Sequence, residues 1–504
     1  MLTFLYYSEN DMSNEYFPTA VGAAPAGRSI PAAIAKPYGL KSEVLSFWEI
    51  LGQSVANIAP TGTPTVVIPL VFATAGNGTW LAYAIALVGI LFVASSINQF
   101  AKRSASPGSI YTYIATGLGP TWALVIGWSL LIAYIGCASS VTTGFTNYAN
   151  VFLKTVSGHE LNPVVWIAIS VLGAWYVAFK DIKLSTRLML TLEFASVALI
   201  LIVIVLTLAR TGFRIDAAQF SLKGVTPANL LLGLVLAIFS FTGFESATAL
   251  GAEAKRPLYN IPRVVLQSAI IVGLLFIIAS YSEVLGFIGN SVTLDKSDAP
   301  LHVLATVGGV PFLGPLIDLG AVVSFFACVL ASINAGARIL FFLGRHGVFH
   351  SSVGDAHQAN KTPHNALTVS AIVAFVPAAV LSLRGFGQFD IYGWIGTVAT
   401  FGFIVAYIAV SIAAPVYLSR LKELRPKDIV VAVLAVIFGG IALVGSVYPV
   451  PAPPLSYLPY IYLGLLLAGV LWILYLKFFT PAVHAGIVRD VADINDRYSH
   501  GGSV

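Results

Sequence analysis

The stretch Ala59-Pro60-Thr61-Gly62-Thr63-Pro64 lies in the middle of an apolar run that extends from Leu45 to Phe72. Two prolines and a glycine within five residues cannot hold a regular helix, because each proline lacks an N–H donor and clashes with the preceding turn. A second stretch, Phe239-Ser240-Phe241-Thr242-Gly243-Phe244-Glu245, interrupts the apolar run from Asn229 to Leu250 with a glycine, two hydroxyls and a carboxylate. Irregular backbone at membrane depth is tolerated only where it faces protein or a cavity. Singly, each stretch also fits a plain proline or glycine kink. Together they fall in the first and sixth apolar runs, five crossings apart, and so traverse a membrane in opposite directions. That is the pattern of an inverted repeat, five helices plus five, whose broken first helices meet near the midplane.

The rest of the chain supplies the membrane context. Of 504 residues, 57% are hydrophobic and 10% charged, against roughly 25% charged in soluble domains. A soluble fold of this size would lack the charged surface to stay in solution. In lipid the backbone must satisfy its hydrogen bonds internally, which leaves helices or a closed barrel. Barrel strands alternate in polarity over about ten residues. The runs here are continuous and about 20 residues long, so they read as helices.

Apolar runs between charged or Pro/Gly punctuation number about twelve: residues 45–72, 80–100, 121–152, 163–179, 186–208, 229–250, 264–288, 315–343, 367–383, 391–418, 429–447 and 457–478. The expected architecture is all-α and integral to the membrane. A polar tail covers residues 1–44, a first five-helix repeat 45–210, an inverted second repeat 228–420, two additional helices 428–479, and a second tail 480–504. With both tails cytoplasmic, 21 of the 27 Lys and Arg fall on the cytoplasmic side and 6 outside, which is the sense of the positive-inside rule. The expectation is a multi-pass protein of the cell membrane with both termini cytoplasmic. The net charge of +5 is spread over these connections and reads as orientation, not nucleic-acid binding. No cleavable signal peptide is expected, since a polar segment precedes the first apolar run.

Cys137 and Cys328 both fall inside apolar runs and read as buried thiols, with no disulfide expected. His159, His302, His346, His350, His357, His364, His484 and His500 read as loop or terminal residues, so no metal or catalytic cluster is expected at membrane depth. His346 and His350, one helical turn apart, read as solvated residues and not a metal pair. Asn77-Gly78-Thr79 matches a glycosylation sequon, a pattern short enough to arise by chance. Two acids, Glu193 and Glu245, sit within apolar runs, where ionisable groups are functional candidates. Glu193 lies six residues past Arg187, roughly 9 Å along a helix. Burial disfavours an ionised carboxylate, so such a group can load and release a proton. For each acid the alternative is a structural hydrogen bond to a neighbouring helix.

The run Phe239 to Ala247, followed by Glu253-Ala254-Lys255-Arg256-Pro257 and Ile261-Pro262-Arg263, resembles the sixth-helix segment of the amino acid–polyamine–organocation superfamily of permeases. Ser106-Pro107-Gly108-Ser109-Ile110-Tyr111-Thr112-Tyr113, with Gly117, Gly119 and Gly127-Trp128 after it, resembles the loop and start of that family's third helix. The resemblance covers roughly residues 45 to 420. Where the family often carries a Gly-x-Gly-Ile-Phe type run in the first helix, this chain has Pro60 to Pro64, so detailed substrate preference does not transfer.

The resemblance implies a leucine-transporter-like fold and a secondary active transporter moving an amino acid by alternating access, coupled to protons. Backbone near Thr61, Gly62 and Thr63 would hold a substrate carboxylate. Backbone near Phe239, Ser240 and Thr242, with Gly243 beside them, would hold the amino group. Phe239 matches an aromatic lid, with an ordinary packing residue as the equal alternative. Several cation-independent relatives place a lysine near position 193, where sodium-coupled ones hold sodium. An acid here makes Glu193 the first candidate for coupling and Glu245 the next. The rivals are an uncoupled amino acid or amine exchanger and a polyamine permease. An integral-membrane enzyme would need clustered His and Asp near one interface, and a channel a charged ring or repeated filter. Neither pattern is found. The expected partners are a small-molecule substrate, an amino acid or amine, and membrane lipid. No nucleic acid, metal or cofactor is expected, and the sequence does not set the oligomeric state.

Overall fold

The computed structural model describes residues 38–297, 299–448, 450–480 and 482–499. The tail before residue 38 and residues 500–504 lie outside the described residues, and the reading of residues 1–44 as a tail falls largely on them. The described helices, in order, are α1 (Phe47–Ile58), α2 (Ile68–Ala75), α3 (Thr79–Ala101), α4 (Ser109–Leu118), α5 (Pro120–Ser157), α6 (Pro163–Lys180), α7 (Ile182–Arg210), α8 (Ala217–Phe220), α9 (Pro227–Phe239), α10 (Pro257–Phe287), α11 (Pro300–Val307), α12 (Gly314–Arg345), α13 (His364–Leu383), α14 (Gln388–Arg420), α15 (Pro426–Gly445), α16 (Leu458–Phe479) and α17 (Ala482–Ser499). Among the described residues there is no strand, only an isolated bridge between Leu45 and Ala254.

Each of the twelve apolar runs coincides with helix, and the all-α membrane fold stands. Ten stretches are long and apolar enough to cross a membrane by length and composition. One of them, Phe47–Ala101, spans 55 residues and contains α1, α2 and α3 in succession, while Pro227–Phe239 is apolar but shorter. The first run is broken where the prolines stand. Ala59 takes a left-handed φ of 51° ahead of Pro60, and the backbone resumes as a π-helical turn over Thr63–Val67 before α2. A non-glycine residue held in that region is strained, and such strain clusters at functional sites. The sixth run ends its regular helix at Phe239 and continues through Gly243, at φ 93°, into a 3-10 turn over Ser246–Leu250.

Four described helices, α4, α8, α11 and α17, fall outside the twelve apolar runs. Ser109–Leu118 forms a separate buried helix, α4, ahead of the third long helix. Its hydroxyl-rich face lowers its hydropathy below that of an apolar run. Gly119, at φ 90°, and Pro120 at the first turn of α5 set the corner between them. The core is built by α5 lying along α12 and α14, α3 along α10, and α7 along α12 and α1. Small residues let these backbones approach, as expected where lipid gives helices no hydrophobic drive to associate. A Cβ on Gly402 would come within 2.7 Å of the Ser129 carbonyl oxygen. At the periphery α16 keeps Leu463, Leu467, Leu471 and Phe478 exposed, an apolar surface suited to lipid.

Candidate functional site

The ends of α3, α12 and α14 and the start of α10 carry Lys102, Arg345, Arg420 and Arg256, which defines a basic face of the bundle. Chain order then fixes the two broken helices. α1 rises from the basic face to the break at 59–62, and α2 continues toward the opposite face. α9 descends from the opposite face to Phe239. The midplane therefore receives the amino-terminal end of the second half of one helix and the carboxy-terminal end of the first half of the other.

These ends offer complementary groups. The N–H groups of Thr61 and Gly62 make no backbone hydrogen bond among the described residues, as expected at a helix start. The Thr61 hydroxyl and the Asn57 amide nitrogen are also buried without a partner among the described residues, while the Asn57 amide oxygen accepts from the Ser332 hydroxyl at 2.6 Å. Partial positive charge at such an end suits an anion. Thr63 differs from expectation: its N–H donates to the Ala59 carbonyl at 3.1 Å, closing the first turn, so it offers no free donor. On α9, the Thr242 hydroxyl and N–H both donate to the Phe239 carbonyl at 2.8 and 3.1 Å. The Ser240 hydroxyl lies 3.1 Å from that of Tyr83. The side chains of Ser240 and Thr242 are thus engaged within the protein, and the partial negative charge of the α9 terminus is what remains for a cation. Gly243 is where the two broken segments cross. A Cβ there would sit 2.1 Å from the Asn57 amide nitrogen. Asn57 was not singled out from the sequence, though a polar residue two positions before the Ala59-Pro60 break was the available sign.

Toward the opposite face an aromatic layer covers this crossing. The Phe239 ring lies against Gly396, whose Cβ would fall 2.6 Å from the ring. Phe239 meets Tyr392 edge-on at 5.8 Å, Tyr392 meets Phe325 at 6.1 Å, and Phe325 meets Tyr148 at 5.9 Å. The Tyr148 hydroxyl donates to the Thr65 carbonyl at 3.0 Å, and Phe325 also abuts Gly62. Sequence reasoning found Phe239 alone of these, because aromatic residues in apolar helices look alike until the folded chain brings them together.

Toward the basic face the broken helices are tied together. Val44 and Leu45 donate to the Glu253 carbonyl at 2.9 and 3.0 Å, and Lys255 donates to the Leu45 carbonyl at 2.8 Å. The Ser54 hydroxyl donates to the Phe244 carbonyl at 2.9 Å and accepts from the Ala247 N–H at 3.1 Å. Arg338 donates to both carboxylate oxygens of Glu253 at 2.9 and 2.8 Å, with the side chains 1% and 0% exposed. Its remaining nitrogen reaches the Asn334 carbonyl at 3.0 Å. Below these, Lys41 pairs with Asp181 in the turn between α6 and α7. Burial pushes the Asp181 carboxyl up. Lys41 and the backbone N–H groups of Lys183 and Leu184 outweigh it and hold the group below the usual aspartate range.

The buried acids differ in their partners. Glu245 accepts from the hydroxyls of Tyr134 on α5 and Tyr407 on α14, each at 2.6 Å. Glu193 meets the Ser324 hydroxyl of α12, at 2.8 and 2.9 Å from its two oxygens. Arg187 turns instead to Glu49 at 2.7 Å. Two further buried acids were missed: Asp318, 2.8 Å from His302, and Glu283, which has no hydrogen-bond partner among the described residues. Both stand close to an end of their apolar run, where an acid reads as interfacial. The histidine reading is corrected in three places. His364 opens α13. His302 belongs to α11, and His346 is buried between the Tyr111 hydroxyl at 2.9 Å and Asp490 at 3.2 Å, not solvated. Cys137 and Cys328 are free and buried. In the sequon, the Thr79 side chain is buried and the Asn77 amide bonds the Lys223 carbonyl at 2.8 Å.

An all-helical membrane bundle organised around two broken helices defines the class of polytopic permeases. The family model for amino acid permeases matches residues 49–479, and the chain belongs to that family. The low-affinity putrescine importer of Escherichia coli is 30% identical over 307 residues, 58% of this chain and 65% of the importer. The match thus spans less than two thirds of the importer's own length. A branched-chain amino acid permease of Bacillus subtilis is 24% identical over 352 residues, 66% of this chain and 72% of that protein. A methylthioribose transporter of the same organism is 25% identical over 401 residues, 76% and 83% of the two chains. All three are transporters and none is an enzyme.

Proposed function

We propose that this chain is a secondary active transporter that moves an amino acid across the cell membrane by alternating access, coupled to protons through Glu193. In this reading residues 45–210 and 228–420 are inverted repeats, 428–479 are two added helices, and the basic face is cytoplasmic. The observation that carries it is the pairing of the unfilled donors at Thr61 and Gly62 with the carboxy-terminal end of α9. A zwitterion presents a carboxylate to the first and an ammonium to the second. A diamine such as putrescine has no group for the Thr61 and Gly62 donors, which favours an amino acid over a polyamine, although one relative imports putrescine.

Glu193 supports the coupling role because it is buried against α12 with, among the described residues, a single hydroxyl as hydrogen-bond partner and no ion pair. The test is uptake into proteoliposomes with labelled L-leucine, L-lysine and putrescine, with and without an inward proton gradient. The wild-type chain is expected to concentrate an amino acid when the gradient is applied. Glu193→Gln is expected to keep exchange of internal for external substrate and to lose gradient-driven accumulation. Accumulation by Glu193→Gln with an unchanged pH profile removes Glu193 from the coupling step, and uptake of putrescine alone overturns the zwitterion reading.

A further inference from the structure

At the basic face a cavity of about 370 Å³ opens between the end of α3, the turn after α14 and the start of α15. A second cavity of about 270 Å³ adjoins it and reaches inward to α10. Lys102 and Lys427 line both. The outer one adds Arg103, Arg425, Glu423 and Asp428, so four cations meet two acids there. Both acids are already engaged. Glu423 accepts from Arg103 at 2.5 Å. Asp428 accepts from the Arg425 N–H at 3.1 Å, capping α15, and from the Gln99 amide at 3.4 Å. Lys102, Arg425 and Lys427 make no ion pair among the described residues. Like charges gathered at one opening repel, and an anion between them relieves that repulsion. The amino-terminal end of α15 adds partial positive charge at the same place.

The inner cavity differs in character. Leu266 of α10, Ala414 and Leu418 of α14 and Val431 of α15 give it apolar walls. Asn98 of α3 lines it too and is 7% exposed. The Asn98 amide nitrogen donates to the Pro262 carbonyl at 3.0 Å, but its oxygen is buried with no hydrogen-bond partner among the described residues. Buried acceptors are rarely left so. The Ser95 and Ser96 hydroxyls, also on this wall, donate to the Leu91 and Phe92 carbonyls at 2.8 and 3.2 Å. What the inner end offers is therefore acceptors, and they call for a donor. Asn98 is one helical turn from Lys102, a reach that a glycerol headgroup spans. Beside the opening, α15 exposes Val430 and Val433, a surface for hydrocarbon. An anion, a hydroxyl donor and an apolar chain are thus wanted side by side. A phospholipid with a glycerol headgroup has all three, whereas a choline headgroup brings a cation and no O–H or N–H.

We propose that this cavity binds the headgroup of an anionic phospholipid. Lys102, Arg425 and Lys427 hold the phosphate, a headgroup hydroxyl donates to Asn98, and an acyl chain leaves along Val430 and Val433. The cavity lies between α3 and α10 on one side and α14 and α15 on the other, so its occupant ties these pairs together and stabilises the bundle. None of these residues belongs to the candidate substrate site, and the inference stands apart from the transport reading.

The test uses the full chain in a neutral detergent, with dioleoyl phosphatidylglycerol, dioleoyl phosphatidylcholine and glycerophosphate as probes, read by native mass spectrometry and melting temperature. Phosphatidylglycerol is expected to stay bound and to raise the melting temperature, and phosphatidylcholine to do neither. Lys102→Gln/Lys427→Gln, at two exposed side chains, is expected to weaken phosphatidylglycerol binding on the order of thirtyfold, the equivalent of about 2 kcal/mol. Arg425→Gln gives the same reading in smaller measure should the lysine pair not fold. Lys255→Gln/Lys361→Gln removes equal charge from the basic face outside the cavity and is expected to bind as wild type. Asn98→Ala is expected to weaken binding about fivefold, and unchanged binding there overturns the hydroxyl contact. Unchanged binding in the Lys102 and Lys427 variant, or equal weakening in the control pair, leaves only a general attraction of anions to this face and overturns the proposal. Equal stabilisation by glycerophosphate overturns it as well, since the cavity then takes a soluble phosphoester.

Discussion

Glu253→Gln removes one charge from the pair that ties the segment after α9 to α12 at the basic face. In the native chain two Arg338 nitrogens meet the two Glu253 oxygens at 2.9 and 2.8 Å, in an interior that leaves the side chains 1% and 0% exposed. Removing one member of a buried pair costs about 3–5 kcal/mol, because the other charge stays buried and unpaired. Arg338 keeps its bond to the Asn334 carbonyl, and glutamine still accepts one hydrogen bond, so the lower end applies. In a chain that opens toward the basic face this cost falls on the closed state, since opening gives Arg338 water. At about 1.4 kcal/mol per factor of ten, the closed-to-open ratio should fall by on the order of 100-fold.

The chain carries its own reporters of that change. Its two cysteines are both buried. The Cys328 thiol lies 3.4 Å from the Asn57 carbonyl at the end of α1, and the Cys137 sulfur lies 3.5 Å from the Ser332 hydroxyl. A membrane-impermeant maleimide applied from the basic face should label Glu253→Gln far faster than the wild-type chain. The double variant Glu253→Gln/Arg338→Met removes the stranded charge and should bring labelling and melting temperature back toward wild type. Wild-type labelling and melting in Glu253→Gln would refute a closing role for the pair. Faster labelling from the opposite face alone would show that the closure has been assigned to the wrong side.

Two further outcomes are expected. Phe239→Ala removes the ring that meets Gly396 and Tyr392 and should raise the KM for uptake by about tenfold, the equivalent of about 1.4 kcal/mol of lost contact over the site; wild-type kinetics would leave Phe239 a packing residue. Asp181, held below its usual 3.8, contributes stability that is present above that value and lost as pH falls through the depressed one. Asp181→Asn should therefore melt below wild type at neutral pH, with the difference shrinking as pH falls through the depressed value and vanishing below it; a pH-independent difference would show that the Lys41 pairing is not its source.

The parts of this fold that could be read from the sequence are those set by local chemistry. Pro60, Gly62 and Pro64 crowded within five residues cannot hold a regular helix, so the first break was visible without knowing any neighbour, and Gly243 marked the second. α4 was not visible, because Tyr111, Thr112 and Tyr113 lower its hydropathy and its burial depends on what surrounds it. The engaged state of Thr63 was equally hidden: whether a helix-start N–H is free depends on how far back the chain reaches, here to Ala59. The Phe325, Tyr392 and Tyr148 layer joins three separate helices and has no local signature. Glu283 was visible as a letter but not as a buried group, since five residues from the end of its run it reads as interfacial until α3 and α11 are in place.

The stitching between the chain before α1 and the turn after α9 has a mechanical consequence. Leu45 and Ala254 share a bridge, and Ser54 is bonded at once to Phe244 and Ala247, so these halves of two different helices share one set of fastenings. Neither can swing independently without breaking all of them, and a motion that keeps them carries both as one lever. The lever's flexible joints are then the irregular segments themselves, residues 59–62 and 240–245. In the proposed reading, the groups that would grip a substrate are the same groups that would have to bend, so binding and movement would share their degrees of freedom. Substitutions there cannot tune affinity alone; they will change affinity and turnover together, as hinge substitutions do.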